Sequence, residues 1–273
     1  MISVVCVYNN KKILEEFLVN SLKEQSGEYH LILVDNTQGR FSSAAQALNY
    51  GATQVNTDYI MFAHQDIELS SATWLTEAEN LIESLGALGV AGVAGMSETG
   101  RDNRERGRNI ITHLENRRAW EWGNPITKPE IVQTVDGCLF ITPKEVYGSI
   151  KFDEKVCDDW HLYEVDYCLN CKESGHEVYA IPLPVYHASM GPWHLPSKIK
   201  IFISLGPLPK TYYASLAKVV SKHRKNFSHI YTTCGDWSTS TPIIYQRIFN
   251  VAIGGLSLIM KRMGWLRQSR KCN

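Results

Sequence analysis

Asp66 closes the segment Tyr59-Ile60-Met61-Phe62-Ala63-His64-Gln65-Asp66, where an apolar run gives way to three polar residues. A carboxylate just past a buried strand suits a hard divalent cation, manganese or magnesium, which prefers oxygen ligands. His187 follows Pro184-Val185-Tyr186 and precedes Ser189 and Gly191, another strand end, and can add a nitrogen ligand. The competing roles are a helix cap for Asp66 and a packed structural imidazole for His187. A second cluster gathers Asp158, Asp159, Glu164 and Asp166, four carboxylates within nine residues, beside Trp160, His161 and Tyr163. Crowded carboxyls raise one another's pKa, which makes a proton-accepting base that works near neutrality. Against that stands simple capping, since Glu164 and Asp166 open a predicted helix whose dipole favours negative charge.

The elements that position these residues follow from periodicity. Ser3-Val4-Val5-Cys6-Val7-Tyr8 is a β-branched run that ends at Asn9-Asn10 and predicts a buried strand. Ile13, Leu14, Phe17, Leu18 and Leu22 then follow helical spacing. Leu31-Ile32-Leu33-Val34, stopped by Asp35-Asn36, is the next strand; Ala44 to Ala52 is a helix, and Tyr59 to Ala63 a third strand. Strand–helix–strand–helix–strand implies parallel pairing with right-handed crossovers, and such sheets bind ligands beyond the carboxyl ends of their strands. Asn9, Asp35 and Asp66 therefore gather on one rim, a candidate nucleotide site.

Further on, the spacing predicts a helix over 71–84 capped by Ser70 or Ser71, and a strand from Val90 to Val93. Between Ser97 and Glu130 regular apolar spacing fades, and six arginines mix with Trp120 and Trp122. A segment of this length predicts a functional excursion over the active face. A strand follows at Val135-Asp136-Gly137-Cys138-Leu139-Phe140-Ile141, then a helix from Glu164 to Ser174 ended by Gly175, and a strand from Glu177 to Ile181.

The 273 residues, 44% hydrophobic, suit one large α/β domain with an appendage. The first residues lack the basic region of a signal peptide, and seven scattered cysteines suit a reducing compartment. Cys168 and Cys171 form a C-x-x-C without a second pair at zinc-ribbon spacing, which reads as two helical cysteines.

The zero net charge conceals a division. Residues 1–197 hold 15 Lys and Arg against 27 Asp and Glu, whereas 198–273 hold 13 against Asp236 alone. From Ile243 to Met263, polar residues at Gln246, Asn250, Gly254, Ser257 and Lys261 draw a narrow stripe on an apolar helix, with Arg267, Arg270 and Lys271 beyond. Two readings follow: a peripheral helix on an anionic membrane surface, or a helix docked on the body or on a second copy in a homo-oligomer. The predicted location is the cytoplasm, free or on the cytoplasmic face of the membrane. No aromatic–basic interleaving of the kind that binds nucleic acid is present. Asn9-Asn10-Lys11-Lys12 after the first strand is not the G-x-G-x-x-G of a dinucleotide-binding dehydrogenase.

Taken in order, these motifs resemble glycosyltransferase family 2, enzymes of the GT-A fold. Val4 to Asn9 resembles the opening strand, and Leu33-Val34-Asp35-Asn36 the segment whose aspartate contacts the nucleotide base. His64-Gln65-Asp66 stands in the place of the D-x-D metal motif, and Asp136-Gly137 in that of the segment near donor sugar and acceptor. Phe152-Asp153-Glu154 and Tyr163-Glu164-Val165-Asp166 resemble the two acidic segments around the base, and Gly175 to His187 the stretch ending in the metal-site histidine. The H-Q-D form, and the Trp160-His161 before the acidic motif, are closest to a subgroup first noted in streptomycin biosynthesis clusters.

The resemblance, which covers about residues 2–190, implies a Rossmann-like, mixed, mainly parallel sheet flanked by helices, with a helical basic C-terminal extension. Residues 1–195 would form the catalytic domain (1–95 nucleotide-binding, 96–195 acceptor-binding) and 196–273 the extension. It implies metal-assisted, inverting transfer of a sugar from a UDP-, dTDP- or GDP-sugar to a hydroxyl of a glycan or lipid-linked glycan. Val7, Tyr8, Asn9, Asp35, Asn36, His64 and Gln65 would hold the donor nucleotide. Asp136, Gly137, Trp160, His161, Trp120 and Trp122 would face the donor sugar and acceptor. Asp66 and His187 would hold Mn2+ or Mg2+, and Glu164, Asp166 or Asp159 would act as base. Two departures stand out: His64 replaces the first aspartate of D-x-D, and Glu164 is one methylene longer than the family's aspartate. A nucleotidyltransferase on the same fold and a non-catalytic nucleotide-sugar- or glycan-binding module are the alternatives.

Overall fold

The computed structural model describes residues 1–115, 118–188 and 208–249. The chain begins with β1 (Ile2–Tyr8) and α1 (Lys11–Leu14), which continues through a π-helical turn at Glu15–Val19 into α2 (Asn20–Lys23). Then come β2 (Tyr29–Asp35), α3 (Ala44–Ala52), β3 (Tyr59–Ala63), β4 (Ile67–Leu69), α4 (Trp74–Glu83) and β5 (Leu88–Gly92). The middle of the chain holds β6 (Gly95–Met96), α5 (Asn103–Arg106), β7 (Gly107–Arg108), β8 (Ile111–Glu115), β9 (Arg118–Trp122), β10 (Glu130–Ile131) and β11 (Thr134–Val135). It is followed by β12 (Leu139–Pro143), α6 (Lys144–Ser149), α7 (Tyr163–Glu173), β13 (Glu177–Ala180) and β14 (Val185–His187). The last described elements are α8 (Lys210–His223), β15 (His229–Thr232) and β16 (Gly235–Ser238).

A seven-stranded sheet of order β10-β13-β5-β12-β3-β1-β2 forms the centre. β1 lies between β2 and β3, parallel to both, as the strand–helix alternation requires. β13 is parallel to β5, whereas β12 runs antiparallel to β3 and β5. The result is the mixed, mainly parallel sheet that was expected. Its faces are both covered. Val5, Phe62 and Phe140 point into a cluster with α3, α7 and α8, while Val4, Cys6 and Met61 point into a second cluster with the first helix and α4. Burial on both sides explains why β1 is a continuous apolar run rather than an alternating one. Gly51 lets α3 approach this closely: a Cβ there would lie 2.6 Å from Val5 and 2.9 Å from Val34.

The structure corrects four boundaries. The strand expected over Val135–Ile141 is broken: β11 pairs with β6, β12 pairs with β3 and β5, and between them the Asp136 carboxylate accepts from the Cys138 N–H. Segment 97–130 is not an irregular excursion: β6 and β7 pair with each other, and the β8–β9 hairpin joins β14 and β4 in a four-stranded sheet. Helix α4 starts after Thr73, not at Ser70 or Ser71. The tail is not purely helical, since β15 and β16 form an antiparallel hairpin.

Part of the charge division is neutralised by packing. Lys218 pairs with Asp158, and Lys222 with Asp153 and Asp166. Tyr212, Leu216, Val219, Ile230 and Trp237 belong to the same apolar cluster as Val165 and Leu169 of α7. The striped segment is helical from 243 to 249, and residues 250–273 lie outside the described residues. Among the described residues no helix is long and apolar enough to cross a membrane.

Candidate active site

From the end of β3 the chain turns through His64-Gln65-Asp66 into β4. β4 pairs antiparallel with β14 in a register that sets Ile67 opposite His187. The Ala188 N–H donates to the Asp66 carbonyl at 2.9 Å. This pairing brings two residues distant in sequence together: His187 Nε2 lies 3.4 Å from Asp66 Oδ1, and His64 Nδ1 lies 4.0 Å from the same oxygen. One donor atom from each of the three lies within 4.8 Å of the others. Cis ligands on an octahedral ion with bonds of about 2.1 Å stand roughly 3 Å apart, so small side-chain movements turn this group into a ligand set. Two imidazoles and one carboxylate suit a borderline first-row cation.

The electrostatics agree. Burial pushes His64 below its ordinary pKa, which favours the neutral imidazole that can ligate. Burial alone would push Asp66 up, but the His187 hydrogen bond and the charges of His187 and His64 hold it below the usual carboxylate value. Tyr163 fixes the tautomer of His64. Its single hydroxyl proton goes to the Gly137 carbonyl at 3.2 Å, so it accepts from His64 Nε2, also at 3.2 Å. Nδ1, on the Asp66 side, keeps its lone pair.

A cavity of about 300 Å3 opens beside this cluster at the carboxyl ends of β1 and β3. Val7, Tyr8, Asn9, Asn36, His64 and Gln65, the residues expected to hold a nucleotide, all line it, and Ala44 and Leu48 of α3 form its far wall. Gln65 ties the two strand ends together, accepting from the Asn9 and Asn10 N–H groups and donating to Asn9 Oδ1 at 2.8 Å. Asn36 shapes the following loop, with its amide bonded to both main-chain groups of Phe41. Asp35 stands beside the cavity rather than in its lining. The Thr37 N–H and hydroxyl and the Tyr8 hydroxyl hold its carboxyl below the ordinary value.

The acidic cluster does not act as a cluster. Asp158 turns outward to Lys218, and Asp159 accepts from the Trp160 N–H. Asp166 is fully buried and receives Lys222 Nζ, His223 Nε2 and Asn170 Nδ2 at 2.9 to 3.0 Å. Neither Asp159 nor Asp166 lines a cavity at this site. Glu164 alone faces inward. Leu162 precedes it in the left-handed region, φ 63°, a conformation that costs a β-carbon residue about 1–2 kcal/mol and turns Tyr163 and Glu164 towards Gly137. Glu164 is pushed up to about 8, by burial first and by the charge of Asp136 second. The expected raised carboxyl is present, but its causes are burial and, second to it, Asp136 rather than crowding within 158–166. Burial alone would raise Asp136 too; the charge of His187, the Cys138 N–H and the Thr233 hydroxyl pull it below the ordinary value. Two neighbouring carboxyls thus titrate far apart, the pattern that separates a proton carrier from a permanent charge.

Trp160 borders both this cavity and a second one of about 330 Å3, which Asp136, Gly137, His161 and Glu164 also line. Trp122 is elsewhere: its ring packs near Gly107 and the second apolar cluster. Trp120 lies in β9 opposite His113, and its side chain lies outside the described residues. The sequence reading set Tyr163 beside the acidic cluster without a role, and missed Tyr212, Thr233 and Cys234. No periodicity or motif marks the last three; only the docking of α8 and the β15–β16 hairpin places them here.

Residues 3–199 match the model of a family described as "Glycosyltransferase like family". No curated protein matches the sequence. Among solved structures, the chain resembles the mannosyltransferase PcManGT from Pyrobaculum calidifontis in complex with GDP-Man and Mn2+ (12% identity, TM-score 0.53, covering 92% of this chain and 68% of that one). It also resembles GalNAc-T7 with UDP, GalNAc and Mn2+ (13% identity, TM-score 0.50, covering 69% and 44%). A third is S. aureus TarS 1-349 in complex with UDP-GlcNAc (14%, 0.50, 81% and 66%). The chain thus spans less than half of the GalNAc-T7 chain and about two thirds of the other two. These neighbours are GT-A glycosyltransferases, and at such identities they show the fold. The match to the family model spans most of the sequence. The chain therefore belongs to the glycosyltransferase-like family.

Proposed function

We propose that the protein transfers a sugar from a nucleoside-diphosphate sugar to an acceptor hydroxyl, with inversion at the anomeric carbon. The observation that carries this reading is the placement of Glu164 and the His64–Asp66–His187 group around one continuous site at the strand ends. The nucleotide lies in the cavity between Tyr8, Asn9, Asn36 and α3, where the solved neighbours' GDP-Man and UDP-GlcNAc make a donor of this class the natural occupant. His64, Asp66 and His187 hold a divalent cation, which when bound neutralises the leaving diphosphate. Glu164 takes the proton of the acceptor hydroxyl. Asp136 stays ionised beside it and raises its basicity. Gly137 leaves room for the Glu164 carboxyl, and Tyr163 holds His64 in its ligating tautomer. Asp166 and Asp159 take no part in proton transfer on this reading: Asp166 is held by Lys222 and His223, and Asp159, bonded to the Trp160 N–H, lines neither cavity.

The H-Q-D variant of the metal motif supports kinship with the subgroup named above. The striped, basic tail, with Ile244, Tyr245, Ile248 and Phe249 exposed, supports a peripheral position on an anionic membrane surface and a lipid-linked acceptor. Removing residues 243–273 should release the protein from anionic vesicles at low salt; a full-length protein indifferent to such vesicles defeats that part of the proposal. The transferase reading is tested by screening UDP-, GDP- and dTDP-sugars for manganese-dependent release of nucleoside diphosphate. Binding of nucleotide sugars without turnover on any acceptor would instead favour a non-catalytic binding module.

A further inference from the structure

We infer that the C-terminal hairpin β15–β16 and helix α8 form the acceptor-side wall of the site, and that this wall selects an uncharged or amino-bearing sugar ring over an anionic one. The inference rests on the transferase reading and goes beyond it by naming the acceptor class and the residues that choose it.

Glu164 lines the second cavity and not the nucleotide cavity, and the two share His64, Gly137, Trp160 and Tyr163. One wall comes from the family-matched part of the chain. The other comes from Tyr212, Thr233 and Cys234, beyond the matched residues 3–199. This second wall is firmly seated. Gln133 accepts from the Tyr231 N–H at 2.8 Å and donates to the His229 carbonyl at 3.0 Å, and the Thr134 hydroxyl donates to the Tyr231 carbonyl. At the tip, the Thr233 hydroxyl donates to Asp136 Oδ2 at 2.8 Å. The hairpin therefore touches a carboxylate of the site directly.

The lining states the ligand's chemistry. Trp160 presents exposed aromatic surface, on which the C–H face of a sugar ring packs, with the largely buried Tyr212 in the wall, while Asp136 and Glu164 accept hydrogen bonds from hydroxyl or ammonium groups. No lysine or arginine is among the described lining residues. An acceptor ring bearing carboxylate or phosphate would meet Asp136 with no lysine or arginine among the described lining residues to offset the repulsion. A volume of about 330 Å3 is at the lower end for ligand pockets, which suits one sugar ring rather than an extended chain.

The test uses the full-length protein with Mn2+ and the donor identified in the screen. Neutral p-nitrophenyl pyranosides are compared as acceptors with p-nitrophenyl glucuronide and a pyranose 6-phosphate. The expected kcat/KM for the neutral rings is at least about tenfold higher. Cys234→Trp, which fills the cavity from the hairpin tip, should raise the acceptor KM at least about tenfold, with the calorimetric Kd for donor kept within about twofold. Equal use of the glucuronide, or a tryptophan variant that weakens donor as much as acceptor, overturns the inference. The acceptor panel on the unmodified protein decides the matter even where that variant does not fold. A wild-type protein that binds no nucleotide sugar sinks the transferase reading itself, and this inference with it.

Discussion

His187 Nε2 lies 3.4 Å from Asp66 Oδ1, and the contact exists because β14 pairs with β4 in the register that sets His187 against Ile67. A short antiparallel pairing beside the main sheet thus assembles the candidate metal centre from two strand ends. On its other edge β14 pairs in parallel with β8, which joins the β8–β9 hairpin to the site. Residues that looked like a loop over the active face are a support for its metal-binding edge.

Asp66→Ala and His187→Ala should each weaken manganese-dependent donor binding by about 100-fold or more, since loss even of a supporting partner costs metal sites about 10–100-fold. Calorimetric titration of the nucleotide sugar with and without Mn2+ checks this. Donor affinity that is the same with and without the cation would remove the metal role.

Glu164→Gln should lower transfer by about 100- to 10,000-fold while keeping donor binding, the range typical for loss of a positioned base. Its effect on stability has the opposite sign. The folded-state pKa of Glu164 is raised to about 8, so the native state favours the protonated form. Its favourable contribution is complete below the unfolded value near 4.5 and is lost as pH rises through about 8. The glutamine variant should therefore gain thermal stability relative to wild type across that window, read as a growing difference in Tm. A constant difference from pH 4 to 9 contradicts the placement.

His223→Ala should destabilise the fold by about 1–3 kcal/mol in urea, because it removes one of the three partners of the buried Asp166 carboxylate and leaves only Lys222 and Asn170. Asp166→Asn should also lower stability yet leave kcat much closer to wild type than Glu164→Gln does. If Asp166→Asn is instead the more damaging of the two for kcat, the base is Asp166.

Gly137→Ala should reduce kcat by about 10- to 100-fold with little change in circular dichroism. The added Cβ would lie 2.9 Å from the Tyr163 hydroxyl and 3.1 Å from the Glu164 carboxyl carbon. A displacement of about 1 Å at a reacting group can cost two orders of magnitude. Unchanged kcat would mean that the precise position of Glu164 does not matter to the reaction.

The sequence by itself determined the nucleotide side of this protein. β1, β2 and β3 are short apolar runs that stop at polar residues, and the helical spacing between them leaves parallel pairing as the only economical arrangement. That local pattern was enough to send Asn9 and Asp66 to one rim, where both line the observed cavity, while Asp35, expected with them, stands beside it. It was not enough for the acidic segment. Asp158, Asp159, Glu164 and Asp166 are neighbours in sequence, but the left-handed turn at Leu162 and the first turn of α7 aim them in different directions. Which one met the cavity depended on where Lys218, Lys222 and His223 of α8 came to rest, a question of packing between distant segments. The tail shows the same division: its positive charge was plain in the composition, while the role of Thr233 and Cys234 in the second cavity arose only from the docking of a hairpin. Periodicity records which face of an element is buried; the partner that buries it is chosen by tertiary contacts, and those decided the acceptor side of the site.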